Sequence, residues 1–585
     1  LLNPSSPTQT QLSGAFSTSD SYSVYFGAPP ALPASQVGSN VSVQDSNTIS
    51  VTAPPGTKPG PANVTLTRPD GWWGVMPDAA SYGPTFLYAD PAAGPTAGGS
   101  SVLIYGYGFV STKTQVTIGG SPATITQVSG PGFLSPYPFP LDTIELKTPA
   151  GNSGPADITI TTPSGSTTAT GGFQYLASAH VYPVTGALDA LIYDQQRKRL
   201  YVTNQDHNCV EVFDLASSSF LAPIPVGNKP TGLALTPDDS MLAVVNMGDG
   251  TVSVIDPSKM QVIATYPVLT STDQAGAAVA TQIAPVEPHR MLVELVNTST
   301  LNSGTLHLLN LDNGSLSCAG VVACDSTGFN IDFDSGLEAM ASTSDGSEVF
   351  LADFSQVSAQ PVGWLNFVTN TLTTAPILAA HDDAVDRDGN LFMASINAFN
   401  QKFFNTGVLS DVTYLDAGGG DANNVNGEKL NPSGSLLFIP QHTPTNGSQS
   451  GVDIFDVHRG RLAMRVALPE QIPFCLNALA LDETGTKMFL ISTSGITVAQ
   501  LAQAPLSIAT VNPSSGTAGA QVTIRGSGFQ SGATVTFGTI KEVTTYVDSE
   551  TLKTTVPSLA AGPVRVTVTN PDGKSYSFDA AFTEN

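Results

Sequence analysis

Short runs in which apolar and polar residues alternate recur along the whole chain. Val564, Val566 and Val568, separated by Arg565 and Thr567, are one such run. Alternation at a period of two sends one set of side chains into a core and the other into water, so each run predicts a half-buried strand. Helical periodicity is almost absent. Asp-Gly, Gly-Gly and Pro-Ser-Gly punctuate the runs at short intervals, which predicts an all-β protein built from sandwiches, barrels or propellers.

Two landmarks recur at one spacing. Asn204 ends Tyr201-Val-Thr-Asn204 and Asn246 ends Leu242-Ala-Val-Val-Asn246, 42 residues later, and Asp214 and Asp256 are also 42 residues apart. Weaker copies, each a turn followed by an apolar strand, begin at Pro288, Asp345, Asp388, Pro432 and Glu483. Together they predict seven repeats within 178–505. Tyr201-Val-Thr-Asn204 spells the motif of the YVTN β-propeller repeat family, so this region resembles a seven-bladed propeller of that type. The last repeat, Ala478 to Val498, leaves little room for a fourth strand. His180–Val184 is expected to supply it and close the ring.

The segment 506–585 carries Val511-Asn-Pro-Ser-Ser-Gly516, Val522-Thr-Ile-Arg-Gly-Ser-Gly-Phe529 and Val535-Thr-Phe-Gly538. It resembles the IPT/TIG immunoglobulin-like family. Glycines at 526 and 528 let a strand bend between two sheets, and Phe529 fills the core beside the bend. Ser101-Val-Leu-Ile-Tyr-Gly-Tyr-Gly-Phe109 and Val116-Thr-Ile-Gly-Gly120 repeat that order within 86–177, and Leu12-Ser-Gly-Ala-Phe16 with Val24-Tyr-Phe-Gly27 repeats it more weakly within 1–85. The expected architecture is therefore two N-terminal and one C-terminal Ig-like sandwich around a propeller. In the first module Asn3 to Gly14 spans 11 positions, where Asn512 to Gly526 spans 14. Either its first strand is abbreviated or the domain starts upstream, and an open sheet edge is the expected result.

Charge narrows the partners. With 22 Lys and Arg against 47 Asp and Glu the net charge is −25, and only 12% of residues are charged. A phosphate-binding surface needs a dense basic patch, so nucleic acid and anionic membranes are disfavoured. No apolar run reaches the roughly 18 residues of a spanning helix. The sequence opens at Leu1, which is read as a removed leader, and an exported protein is expected to use its four cysteines as bridges. Cys318 and Cys324 are close enough for a local bridge, and Cys209 with Cys475 is expected to pin the ring where its first and last blades meet.

No haem-attachment, zincin, nucleophile-elbow or phosphate-loop motif is present, so no catalytic or cofactor-binding residue is assigned. The histidines at 180, 207, 289, 307, 381, 442 and 458 are scattered singly and read as surface residues. The acidic run His381–Asn390 and the pair Asp332 and Asp334 could hold calcium. Their spacing matches no EF-hand, and Asp388-Gly389 already has a role as a hairpin turn, so no metal is assigned and calcium stays an alternative. Trp72 and Trp73 read as packing onto a neighbouring module, with carbohydrate or subunit contact as the alternative. The functional expectation is a non-enzymatic binding or structural protein, secreted or at the cell surface, whose partners are proteins, glycans or its own copies. The alternative is an extracellular propeller enzyme, lactonase-like or dependent on a metal or quinone.

Overall fold

The structure is a computed structural model. It describes all residues except 1, 3–6, 28–35, 57–59, 71–72, 111, 134–139, 164, 177, 270–277, 298–303, 319–337, 354–360, 377–381, 386–390, 398–399, 406–409, 417–426, 442–449 and 474–476. Among the described residues the regular elements are all β-strands. No helix there is long and apolar enough to cross a membrane. The chain forms two compact units, one of Leu1–Ala177 with Ala502–Asn585 and one of Ser178–Leu501.

In the first unit the C-terminal module is a two-sheet sandwich. Ser507–Asn512, Gln521–Ser527, Thr551–Thr555 and Thr544–Asp548 form one sheet in that order, and Ser515–Gly516, Ser575–Glu584, Gly562–Thr569, Thr534–Phe537 and Ile540–Glu542 form the other. Val564, Val566 and Val568 point inward as the alternation predicts and join Ile524, Phe529, Phe537, Leu552 and Phe582 in one core. The second module repeats this order. Thr85–Asp90, Ser101–Tyr107, Pro140–Lys147 and Thr124–Phe133 make one sheet, and Ala93–Pro95, Gly165–Leu176, Gly154–Thr162, Gln115–Ile118 and Ser121–Pro122 the other.

The shared glycines have a steric reason. A Cβ at Gly526 would lie 2.1 Å from Ser507 O and 2.6 Å from Phe529 Cζ, and one at Gly106 would lie 2.0 Å from Thr85 O and 2.6 Å from Phe109 Cζ. Only a residue without a side chain lets the module's first strand and its core phenylalanine close on that point together.

The C-terminal module touches both of the others. The Lys574 side chain lies against Gly171 of the second module, and Asp579 accepts from Asn63 of the first and pairs with Arg565. In sequence the modules flank the propeller-like region, and the expected picture has them at its two ends. The structure corrects this by gathering all three into one unit.

The physical reason lies in the second unit. Its first strand, Ser178–Pro183, pairs antiparallel with its last, Gly495–Gln500, from Ser178 opposite Gln500 to Pro183 opposite Gly495. The expected fourth strand of the last repeat is thus supplied from the beginning of the unit, and the chain enters and leaves side by side. Between these ends, antiparallel sheets follow one another at 188–225, 230–267, 278–318, 338–376, 382–416, 429–467 and 479–500. The first strand of each lies beside the first strand of the next, and Leu479–Leu481 returns to Leu188–Asp194.

Candidate functional site

Two places carry unusual chemistry, one in each unit. The first is a sheet edge. In the N-terminal module one sheet has the order Thr8–Ser13, Thr48–Ala53, Ser39–Asp45, and the other has the order Ser23–Phe26, Gly60–Thr67, Trp73–Tyr82. Val24, Phe26, Ile49, Val51 and Val64 are buried between them. The counterparts of Thr8–Ser13 in the other modules, Ser101–Tyr107 and Gln521–Ser527, lie inside their sheets because Thr85–Asp90 and Ser507–Asn512 cover them. Among the described residues no strand covers Thr8–Ser13.

The glycine geometry agrees. Among the described residues the three atoms nearest a Cβ at Gly14 all belong to the Phe16 ring, the first 2.9 Å away. The element that follows the covering strand is nevertheless retained. Leu2 is buried, bridges Tyr82 in parallel and donates its N–H to Ser81 O at 2.7 Å, as Ser515–Gly516 does against Ser575–Glu584.

The second place is the corner between Arg199–Asn204 and Cys209–Asp214 in the first repeat of the other unit. Tyr201, Val202, Thr203 and Asn204 are all buried, so both faces of this strand are covered. Asn204 Nδ2 donates to Thr185 O at 2.8 Å and faces His207 Nδ1 at 3.1 Å and Glu211 Oε1 at 2.9 Å. Cys209 Sγ donates to Glu211 Oε1 at 3.4 Å, and His207 Nδ1 lies 3.7 Å from the same oxygen. Cys209 and Glu211 are buried, while the His207 side chain is 47% exposed. Burial, and then the adjacent Glu211 charge, push the Cys209 thiol up to about 12.

The second repeat supplies an internal comparison. Forty-two residues on, Asp249, Thr251 and Ser253 replace His207, Cys209 and Glu211. There Asn246 Nδ2 donates to Thr251 Oγ1 at 3.0 Å and Ser253 Oγ at 2.9 Å, and its Oδ1 accepts from Gly227 N–H at 3.0 Å. The recurrent asparagine is therefore a strap between a strand end and the next strand. Of these two repeats, it is the first that surrounds it with an imidazole, a thiol and a carboxylate. Sequence reasoning took the histidines singly and paired Cys209 with Cys475, and so missed this grouping. Part of its signal was available, since Cys209 and Glu211 alternate onto one face of Cys209–Asp214 at a period of two, while His207 sits in the turn before that strand.

The other expected sites fare differently. Cys209 is a buried free thiol, but its expected partner Cys475 lies outside the described residues, as does Cys324, the expected partner of Cys318. Asp332, Asp334, Trp72 and the turn at 386–390 are also outside them. His289 is not isolated: it bridges Asp238 at 3.2 Å and Asp312 at 3.0 Å, and those bonds raise its pKa.

Two solved structures are similar in outline. Hydrazine synthase of Kuenenia stuttgartiensis is 16% identical, with 56% of this chain and 99% of that one covered and a TM-score of 0.42. A chain of the mitotic checkpoint complex is 14% identical, with 56% and 91% covered and a TM-score of 0.43. At these values neither bears on what this chain does. No curated protein matches it. Two of its modules match a family model, residues 84–175 and 506–583 both matching the IPT/TIG domain.

Proposed function

We propose that this is a non-enzymatic binding and structural protein, working at or beyond the cell surface, that assembles by adding a strand from another copy to the open edge of its N-terminal module. The observation that carries the reading is the sheet edge at residues 9–13, whose counterparts in both sibling modules are covered by a strand. An uncovered edge offers backbone N–H and C=O groups in a row, and strand addition pairs them at little conformational cost. The sparsely charged, Ser- and Thr-rich composition favours the same outcome, because few ions must be desolvated when surfaces meet.

In this reading the second unit is a seven-bladed propeller of the YVTN type. Its support is the 42-residue repeat, the succession of antiparallel sheets with neighbouring first strands, and the pairing of Ser178–Pro183 with Gly495–Gln500. It serves as the rigid body that the Ig-like modules carry, with protein or glycan partners on its faces.

Electron microscopy and light scattering of the purified chain at micromolar concentration test assembly. Oligomers or filaments are expected. Because outward N–H groups alternate along a strand, either Thr10→Pro or Gln11→Pro should remove one and abolish assembly in a folded protein. Monodisperse wild-type monomers across salt and calcium conditions would overturn the proposal.

A further inference from the structure

We propose that His207, Cys209 and Glu211 form a binding site for a divalent cation of the zinc class, a function separate from assembly. The first argument is the geometry. One imidazole nitrogen, one sulfur and one carboxylate oxygen lie within 4.8 Å of one another. Zinc bonds of about 2.3 Å to sulfur and about 2.0–2.2 Å to nitrogen and oxygen, arranged tetrahedrally, require S···O and N···O edges of about 3.6 and 3.4 Å. The observed edges are 3.4 Å from Cys209 Sγ to Glu211 Oε1 and 3.7 Å from His207 Nδ1 to Glu211 Oε1.

The second argument is a hydrogen-bond count. With His207 in its Nε2–H tautomer, the form that leaves Nδ1 free to bind a metal, the Asn204 amide has two N–H groups but faces three acceptors, Thr185 O, His207 Nδ1 and Glu211 Oε1. In the second repeat the Asn246 amide faces Thr251 and Ser253 hydroxyls, which can themselves donate or accept, so its count balances. The surplus lone pair in the first repeat is what a cation takes. With His207 Nδ1 on the metal, Asn204 keeps Thr185 O and Glu211 and holds the carboxylate in place, the outer-shell part such sites need.

The third argument is the donor set. A thiolate beside an imidazole selects zinc-like ions over calcium or magnesium, which take oxygen alone. Binding replaces the thiol proton: Cys209–SH and M²⁺ give the Cys209 thiolate–metal bond and a proton released to solvent. The exposed His207 gives the ion access.

The test uses cobalt(II) as the probe on the reduced, purified full chain. A thiolate-to-cobalt charge-transfer band saturating at one equivalent, and displaced by zinc, is expected. Substituting Cys318, Cys324 and Cys475 together by serine should retain it, while His207→Ala should weaken cobalt binding at least tenfold. Cys209→Thr combined with Glu211→Ser copies the second repeat, so it should fold normally by circular dichroism and show no band. Zinc should raise the unfolding temperature of the wild-type chain and leave that double variant unmoved. Absence of the band in the folded wild type, its persistence in the double variant, or mass spectrometry finding Cys209 in a disulfide would overturn the assignment.

Discussion

Gly106 and Gly526 show how a single position constrains a whole module. Each is the point where a first strand's carbonyl and a core phenylalanine ring come within 2.6 Å of a hypothetical Cβ. Gly526→Ala must push backbone as well as side chain, and should cost about 3 kcal/mol. Gly14→Ala meets only the edge of the Phe16 ring, 2.9 Å away, and should cost about 1 kcal/mol or less. Chemical denaturation of the two variants checks the difference, and equal losses would mean that a strand also lies against Gly14.

Asp189, in the strand Leu188–Asp194 of the second unit, sets a pH dependence. Burial raises its pKa from 3.8 to about 6, against the opposing hydrogen bond from Gln205. The folded chain therefore holds this proton more tightly than the unfolded chain, so its contribution to stability is present below pH 3.8 and is lost as pH rises through about 6. Asp189→Asn removes the loss. The variant should gain on the order of 1–2 kcal/mol over wild type at neutral pH, a half-buried group delivering less than the full shift. Thermal unfolding of both proteins from pH 4 to pH 7 measures it, and a difference that does not grow with pH would refute the assignment.

At the scale of elements, the second unit depends on one pairing between distant parts of the chain. Ser178–Pro183 makes a full ladder with Gly495–Gln500, and Tyr182 packs its ring 4.4 Å from Phe213 of the first repeat. The strand thus ties the last sheet to the first. Replacing 178–183 by a Gly/Ser linker of equal length should expose the edge of Gly495–Gln500 and lower the unfolding temperature by about 5 °C or more. An unchanged calorimetric transition would show that the pairing contributes nothing. The first repeat's asparagine strap is also an element-scale device: Asn204 and Asn246 each fasten the end of a second strand to the start of the third, and the 42-residue spacing is the distance between successive straps.

Across the whole molecule, antiparallel closure decides where the modules go. A chain that enters and leaves the second unit through paired strands sets Ser178 opposite Gln500, and modules separated by more than 320 residues of sequence belong to one unit. Asp579 then reaches both Arg565 of its own module and Asn63 of the first. Assembly through the N-terminal edge therefore starts from a cluster of three sandwiches and not from two separated ends. A head-to-tail contact between unlike surfaces propagates unless its rotation closes, and this is why filaments are among the expected products.

Strand positions, the sandwich glycines, the repeat spacing and the donor of the closing strand were legible in the sequence, because each depends on local periodicity or on one segment's likeness to another. The short front of the N-terminal module, 11 positions against 14, was legible as well, and among the described residues no strand covers residues 9–13. Tertiary structure decided what depends on partners remote in sequence or on the direction of side chains. It gathered the modules into one unit, because only the pairing of first and last strands places the two exits together. It also turned His207, Cys209 and Glu211 toward one another around Asn204, since a strand pattern records which face a residue shares but not where three side-chain atoms converge.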